Sequence, residues 1–184
     1  MPTKVFFCET INEGIVSRGY ECPEKHVHRV EGARVSLAEY EANYSNLKGI
    51  GTCPTCNRPT RQVSAGWSPL YKRSDTGEII GGESKLPPGA CYDSPHYHDW
   101  RVGPDGRSLS VVLPNGDHWF IDNRASNCTM KDDDAHRCWV RHGRPEDGTL
   151  HVDKNGHTCA AGAGSIAVPG YHGFLHNGFL TDGC

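Results

Sequence analysis

Cysteine and histidine are the residues of this chain with the greatest capacity for chemistry. The 184-residue sequence contains nine cysteines and eleven histidines. Thiolate sulfur and imidazole nitrogen are ligands for zinc, while thiols can also pair as disulfides or act as nucleophiles. The spacing of these residues therefore indicates which chemistry each of them serves.

The strongest spacing signal is the sequence Cys53-Pro-Thr-Cys56. Two thiolates two residues apart in a proline-containing turn can bind one ion, and backbone N–H groups of the turn can steady the sulfurs. Tetrahedral zinc needs two further ligands, and the candidates are Cys8, Cys22, His26 and His28. We prefer Cys22 with His26 and keep Cys8 with Cys22 as the alternative.

A disulfide and a redox Cys-x-x-Cys are the alternatives to metal at this motif. Redox motifs of the thioredoxin kind open a helix that follows a strand. Here the predicted helix lies before Cys53, so the order of elements favours zinc.

A second candidate metal site consists of Cys128, His136, Cys138 and His172. These are residue types that zinc binds, and the segment between Cys128 and His136 is polar enough to form a surface loop. The acidic run 132–134 in that segment could orient the His136 ring or could simply be solvated. We predict a zinc ion here as well, so that the chain would hold one or two.

Two alternatives compete with a metal at this second site. One is a set of buried free thiols beside Trp139, because free cysteine is among the most buried residue types. The other is disulfide formation, for which the available thiols are Cys128, Cys138, Cys159 and Cys184.

Catalytic motifs are not found in the sequence. His96-x-His98 fails the binuclear metallohydrolase pattern, because Asp99 follows directly and Trp100 occupies the position where aspartate is needed. His-Glu-x-x-His, Gly-x-Ser-x-Gly and the zinc-deaminase pattern are also missing. We assign no catalytic residue, and a zinc- or cysteine-dependent hydrolase is the alternative.

Composition favours a loop-rich β protein that needs crosslinks. Apolar residues make up 36% of the chain, which also contains 22 glycines and 12 prolines, and its mean hydropathy is -0.60. A chain of this kind buries a thin core, which metal or sulfur bridges can reinforce. The net charge is -3 and the basic residues are scattered, so nucleic acid is not an expected partner.

The sequence also indicates the compartment in which the protein is made. Residues 1–7 lack the long apolar segment of a signal peptide, and no apolar run approaches the ~20 residues of a membrane span. We expect synthesis in the cytoplasm and no membrane association. Cysteine in that reducing compartment more often binds metal than forms disulfides, the exception being a protein that later leaves the cell in a virion.

Three segments must position the candidate ligands. Residues 1–66 are predicted to form a Cys-rich, zinc-ribbon-like lobe with one helix, where Ser36 and Glu39 have the capping-box pattern. The residues expected on one face of that helix are Leu37, Tyr40, Tyr44 and Leu47, with Gly49 at its end. Residues 67–90 are rich in glycine and proline, which indicates a linker or surface loops.

Residues 91–184 are predicted to form an antiparallel β domain with the second Cys/His cluster. The pairs that mark tight hairpins are Asp105-Gly106, Asn115-Gly116, Asn155-Gly156 and Asn177-Gly178. Each pair supplies two residues that tolerate positive φ. The predicted fold class is therefore mainly β, with antiparallel hairpins, one short helix and an N-terminal zinc-ribbon-like lobe.

Residues 108–184 resemble an uncharacterised family of small Cys/His-rich β proteins, a domain of unknown function found in tailed-phage and bacterial genomes. The segments that carry the resemblance are Leu113-Pro-Asn-Gly116 with Trp119 and Asp122, Asn127-Cys-Thr129, 136–140, Gly164-Ser-Ile166, 171–175 and Asn177-Gly178. The resemblance implies that the second Cys/His cluster is a family hallmark. Members often have cysteine directly before the histidine that corresponds to His172, whereas this chain has Tyr171 at that position.

These observations favour a non-enzymatic, metal-stapled structural or interaction protein. The phage resemblance points to a virion component, such as a capsid decoration or a head or tail accessory. Expected partners are other proteins in a larger assembly, or further copies of the chain. A zinc-ribbon regulatory adaptor is a further alternative to the hydrolase.

Overall fold

The computed structural model describes residues 1–44, 51–94, 102–125, 127–130, 132–133, 135–154 and 164–183. Within these ranges the helices are α1 (Leu37–Asn43) and the 3-10 helix Glu83–Lys85. The strands are β1 (Thr3–Lys4), β2 (Phe6–Glu21), β3 (Val27–Val35), β4 (Arg61–Arg73), β5 (Ile79–Gly81), β6 (Ala90–Asp93), β7 (Leu109–Val112), β8 (His118–Phe120), β9 (Trp139–His142), β10 (His151–Lys154), β11 (Ile166–Val168), β12 (Tyr171–His176) and β13 (Phe179–Asp182). The mainly β fold with antiparallel pairing and one short α-helix is confirmed.

The chain divides into two compact units. The core unit comprises Met1–Glu9, Arg73–Glu78 and Leu86–Cys184, and the ribbon unit comprises Thr10–Lys72 and Ile79–Lys85. In the described residues, no helix is both long and apolar enough to cross a membrane.

The core unit is built from short strands around one apolar cluster. One sheet has the order β1-β13-β12-β11, β9 pairs with β10, and β6, β7 and β8 form an antiparallel meander. The start of β2 pairs in parallel with β6. The cluster includes Val5, Leu109, Val111, Leu113, Ile121, Leu150, Ile166, Leu175 and Leu180. This unit therefore has a hydrophobic core independent of any Cys/His group.

The predicted hairpin turns have different outcomes. Asn177 and Gly178 have φ of +46° and +77° and join β12 to β13, as predicted. Gly116 has positive φ but Asn115 does not, because the turn between β7 and β8 is longer: Leu113 N–H donates to the Asp117 carbonyl at 2.8 Å. Gly106 has positive φ in a turn before β7. Asn155-Gly156 lies outside the described residues.

The ribbon unit consists of long strands whose described residues bury only five apolar side chains besides cysteine, namely Val16, Tyr20, Val35, Leu70 and Tyr71. β2 pairs with β3 from Gly14 to Glu21, and β4 lies beside β2 and pairs with β5. Ser36 caps α1 as predicted, since its Oγ accepts from Glu39 N–H at 3.2 Å. None of the α1 residues is buried, so the predicted apolar face contributes little packing. Leu47 and Gly49 lie outside the described residues.

Residues 67–90, the predicted linker, contain the second half of β4, all of β5 and the 3-10 helix. The glycine at position 77 has a φ of +76° and its N–H donates to the Arg73 carbonyl at 2.9 Å. Part of the glycine signal therefore marks the β4–β5 hairpin turn.

Candidate metal centres

Two tight turns carry the first Cys/His group, which lies in the ribbon unit. The turn from Cys22 to His26 joins β2 to β3; Lys25 N–H donates to the Cys22 carbonyl at 2.9 Å, and Lys25 adopts a φ of +64°. The turn from Cys53 begins similarly, with Asn57 N–H donating to the Cys53 carbonyl at 2.8 Å and a φ of +57° at Asn57. Both turns begin with Cys-Pro, where the fixed φ of proline favours the turn.

The two turns bring together the four predicted ligands Cys22, His26, Cys53 and Cys56. One ligand atom from each lies within 4.8 Å of the other three. Cys53 Sγ is 3.6 Å from His26 Nδ1, and Cys56 Sγ is 3.5 Å from Cys22 Sγ. These residues could hold a metal ion.

The other two candidate ligands, Cys8 and His28, lie outside this four-ligand group. Cys8 belongs to the core unit, where it lies opposite Tyr92 in the β2–β6 pairing, so it is not one of the four. His28 Nε2 lies 3.1 Å from Cys53 Sγ. It therefore contacts a ligand sulfur without being a member of the four-ligand group.

The surroundings of Cys53 favour its thiolate. Desolvation raises its pKa, but hydrogen bonds from the backbone N–H groups of Cys56 and Thr55, and from His28 and His26, lower the pKa to about 5. At Cys56 a backbone hydrogen bond from Arg58 acts to lower the pKa, yet desolvation and the neighbouring cysteines raise it overall. The thiolate of Cys53 is thus favoured, while the negative charge of neighbouring thiolates opposes ionisation of Cys56. A bound cation would offset that repulsion and favour both thiolates.

The second group, in the core unit, brings together Cys128, His136 and Cys138. All three are buried, and one ligand atom from each lies within 4.8 Å of the other two. His136 Nε2 is 3.7 Å from Cys138 Sγ. Ala125, Met130 and Trp139 pack against the cysteines. This group could also hold a metal ion.

Backbone donors and one arginine position the second group. Ala125 N–H donates to Cys138 Sγ at 3.3 Å, and Met130 N–H donates to Cys128 Sγ at 3.4 Å. The Arg124 guanidinium donates to the carbonyl groups of Met130 and Asp133. Asp133 Oδ1 accepts from Ala135 N–H at 3.0 Å, so this carboxylate caps a turn.

His172 does not join the second group, contrary to its predicted place there. It lies on β12, whose residues alternate between buried and exposed, and Tyr171 and Gly173 occupy the buried positions beside it. The His172 ring is exposed, with its centroid 6.5 Å from that of Phe174. Among the described residues, the second group therefore offers three ligands.

None of the seven described cysteines forms a disulfide. Cys128 and Cys138 are therefore not disulfide-bonded, while Cys159 and Cys184 lie outside the described residues, as do His96 and His98. Burial raises the pKa of Cys8 to about 11 and raises that of Cys91 further. These two isolated thiols resist ionisation, in contrast to Cys53.

An ion network in the core unit has no signal in the sequence. Arg141 donates to Asp122 at 3.0 Å and forms two hydrogen bonds with Asp105 at 2.7 and 3.2 Å. Asp122 is buried and also accepts from Leu109 N–H at 2.8 Å. Desolvation raises the pKa of Asp122 although Arg141 acts to lower it. The partners are 19 and 36 residues from Arg141, so only the tertiary fold reveals them.

No family model, curated protein or solved structure matches this chain. The resemblance of residues 108–184 to a phage and bacterial family stays a prediction. The geometry of the two Cys/His groups is therefore the basis for inferring what the protein does.

Proposed function

We propose that this protein is a non-enzymatic structural or interaction protein in which zinc occupies both Cys/His groups and staples the fold. The four-ligand group of the ribbon unit carries this proposal. Zinc bonds of about 2.3 Å to sulfur and 2.0–2.1 Å to nitrogen place neighbouring ligands of a tetrahedral site about 3.5–3.8 Å apart. The distances of 3.5 and 3.6 Å in this group agree with those values.

A closed set of four protein ligands favours a structural ion. Structural zinc has no position left for substrate or water, whereas catalytic zinc keeps one open. Zinc binding to small domains is worth about 10–16 kcal/mol at neutral pH, which is comparable to the whole stability of a folded domain. Because the ribbon unit has little core, its folding would depend on this ion.

The second group has a similar role in this proposal. Ala135, Arg137 and Trp139 line a cleft of about 410 Å³. His136 and Cys138, which alternate with them, are buried in the Cys/His group. The alternation directs the ligands away from the cleft, which favours an ion that holds Cys128 beside the start of β9.

A zinc-dependent hydrolase is the second candidate, because the described residues supply only three ligands to this group. An open coordination position must reach substrate to support hydrolysis. Burial of all three ligands argues against that access.

The proposal extends to protein partners in a larger assembly, with a virion as the predicted setting. Support for this setting comes from the resemblance of residues 108–184 to a family found in tailed-phage and bacterial genomes. Light scattering of the purified chain should show an oligomer, or a stable complex when virion proteins are added. A monomer that joins no assembly would contradict this part of the proposal.

Thiol alkylation with and without chelator, combined with elemental analysis, tests the zinc assignment. We expect two zinc ions per chain and five ligand thiols, those of Cys22, Cys53, Cys56, Cys128 and Cys138, that react only after chelation. Thiols released by reductant and not by chelator would show disulfides and overturn the assignment. Cys91→Ser is the matched control, since Cys91 is a buried thiol outside both groups and its loss should leave the zinc content at two.

A further inference from the structure

Another set of metal-binding side chains lies on one face of the β9–β10 pair in the core unit. In this antiparallel pair His142 lies directly opposite His151. Asp153 follows His151 by two residues and therefore projects from the same face. The alternate residues Arg141 and Val152 are buried. Strand register alone thus brings two imidazoles and one carboxylate together.

Two of the three distances within this set are near those of a divalent metal site, while the ring centroids of His142 and His151 are 5.9 Å apart, so both rings must turn towards the carboxylate to bind one ion. Asp153 Oδ2 lies 2.9 Å from His151 Nε2 and 3.9 Å from His142 Nε2. Ligands bonded at about 2.0–2.2 Å lie roughly 2.9–3.5 Å apart in octahedral and tetrahedral sites. The side chains of His142 and Asp153 are 54% and 61% exposed, so a small rotation brings the longer distance into that range.

A third histidine and a cleft lie beside this set. His176 of β12 places its ring centroid 4.2 Å from that of His151. His151, Asp153 and His176 line a cleft of about 370 Å³, which gives an ion access to His151 and Asp153.

We propose that His142, His151 and Asp153 form a third metal site, which binds an exchangeable divalent transition metal, with His176 packing against His151 to hold its ring. Two imidazoles and a carboxylate without thiolate suit nickel, copper, zinc and iron, and they leave coordination positions for water. Two of these ligands, His142 and Asp153, are exposed, which makes this ion easier to exchange than one in either Cys/His group. The inference does not depend on the identity of the metal in those groups.

Nickel binding to the full-length, zinc-loaded protein tests this site. Calorimetric titration with nickel chloride should show one nickel per chain, while native mass spectrometry confirms that the zinc content is unchanged. Removing a ligand in His151→Asn should weaken nickel binding at least about tenfold. Asp153→Asn should weaken it similarly, and because Asp153 is exposed this variant keeps the test valid if His151→Asn fails to fold.

His172→Asn is the matched control, because His172 is an exposed imidazole on β12 outside this set. It should bind nickel as the unmodified protein does. Absence of nickel binding to the zinc-loaded protein would overturn the proposal. Equal weakening by His172→Asn and His151→Asn would also overturn it, by showing non-specific binding to surface histidines.

Discussion

The two Cys/His groups differ in what surrounds them. In the ribbon unit, four ligands come from two Cys-Pro turns, and the strands that carry them bury few side chains. In the core unit, three ligands lie beside Trp139 in a unit that has its own apolar cluster around Leu109 and Leu175. Given the metal binding proposed above, we expect the ion to be required for the fold of the ribbon unit and only to reinforce that of the core unit.

Loss of a ligand from the ribbon group should have the largest effect. Cys53→Ser removes the sulfur whose thiolate the turn stabilises, and with it most of a binding free energy of about 10–16 kcal/mol. Hydrogen exchange should show lost protection across β2 and β3 from residue 14 to 35, with protection retained from 166 to 182. Thr55→Ser, an exposed position in the same turn, should change neither region.

Breaking the ion network should destabilise the core unit whether or not metal is bound. Arg141→Leu leaves Asp122 buried without its cation, at a cost of about 3–5 kcal/mol. Denaturant unfolding of the core unit, followed by tryptophan fluorescence, should show this loss equally with and without chelator. A loss seen only in the chelated protein would mean that metal, not the ion network, holds this region.

Loss of a ligand from the core group should cost less than Cys53→Ser. Cys138→Ser should lower the unfolding free energy of the core unit by about 2–3 kcal/mol, because the apolar cluster remains. Thermal unfolding monitored by near-UV circular dichroism measures this, with His172→Asn as the control within about 0.5 kcal/mol of the unmodified protein. Complete unfolding of Cys138→Ser would remove the contrast between the units.

The smallest effect concerns the hydrogen bond from His28 to Cys53. His28→Ala should raise the pKa of Cys53 above about 5 and weaken zinc about tenfold, as loss of a partner behind a metal ligand does. Competition with a chromophoric chelator at pH 7 measures the affinity. Arg29→Ala on the same strand should leave it unchanged, and equal affinities for all three proteins would contradict this role of His28.

Acid should act on the ribbon unit through Cys53. Its folded pKa of about 5 lies below the ordinary value of 9.0, so the ionised thiolate stabilises the folded state. That contribution is complete above pH 9 and is lost as pH falls from 9 towards 5. Far-UV circular dichroism of the metal-free protein should therefore show the residual structure of the ribbon unit decreasing as pH falls from 9 to 5. Residual structure that increases as pH falls would contradict the assignment.

Local patterns predicted much of this molecule. Asn177-Gly178 specified its hairpin and Cys53-Pro-Thr-Cys56 specified its turn, since both depend on adjacent residues. The partners of Arg141 and the exposed position of His172 could not be predicted in this way. They depend on strand register and on which face of each strand is buried, and short-range spacing contains neither.

The zinc content of three proteins tests the central claim most directly. After dialysis, which removes exchangeable ions, native mass spectrometry should find two zinc ions in the unmodified chain. Cys53→Ser and Cys138→Ser should each retain one, with only the first losing the structure of the ribbon unit. An unmodified chain without zinc, or a Cys53→Ser protein with an intact ribbon unit, would contradict the account.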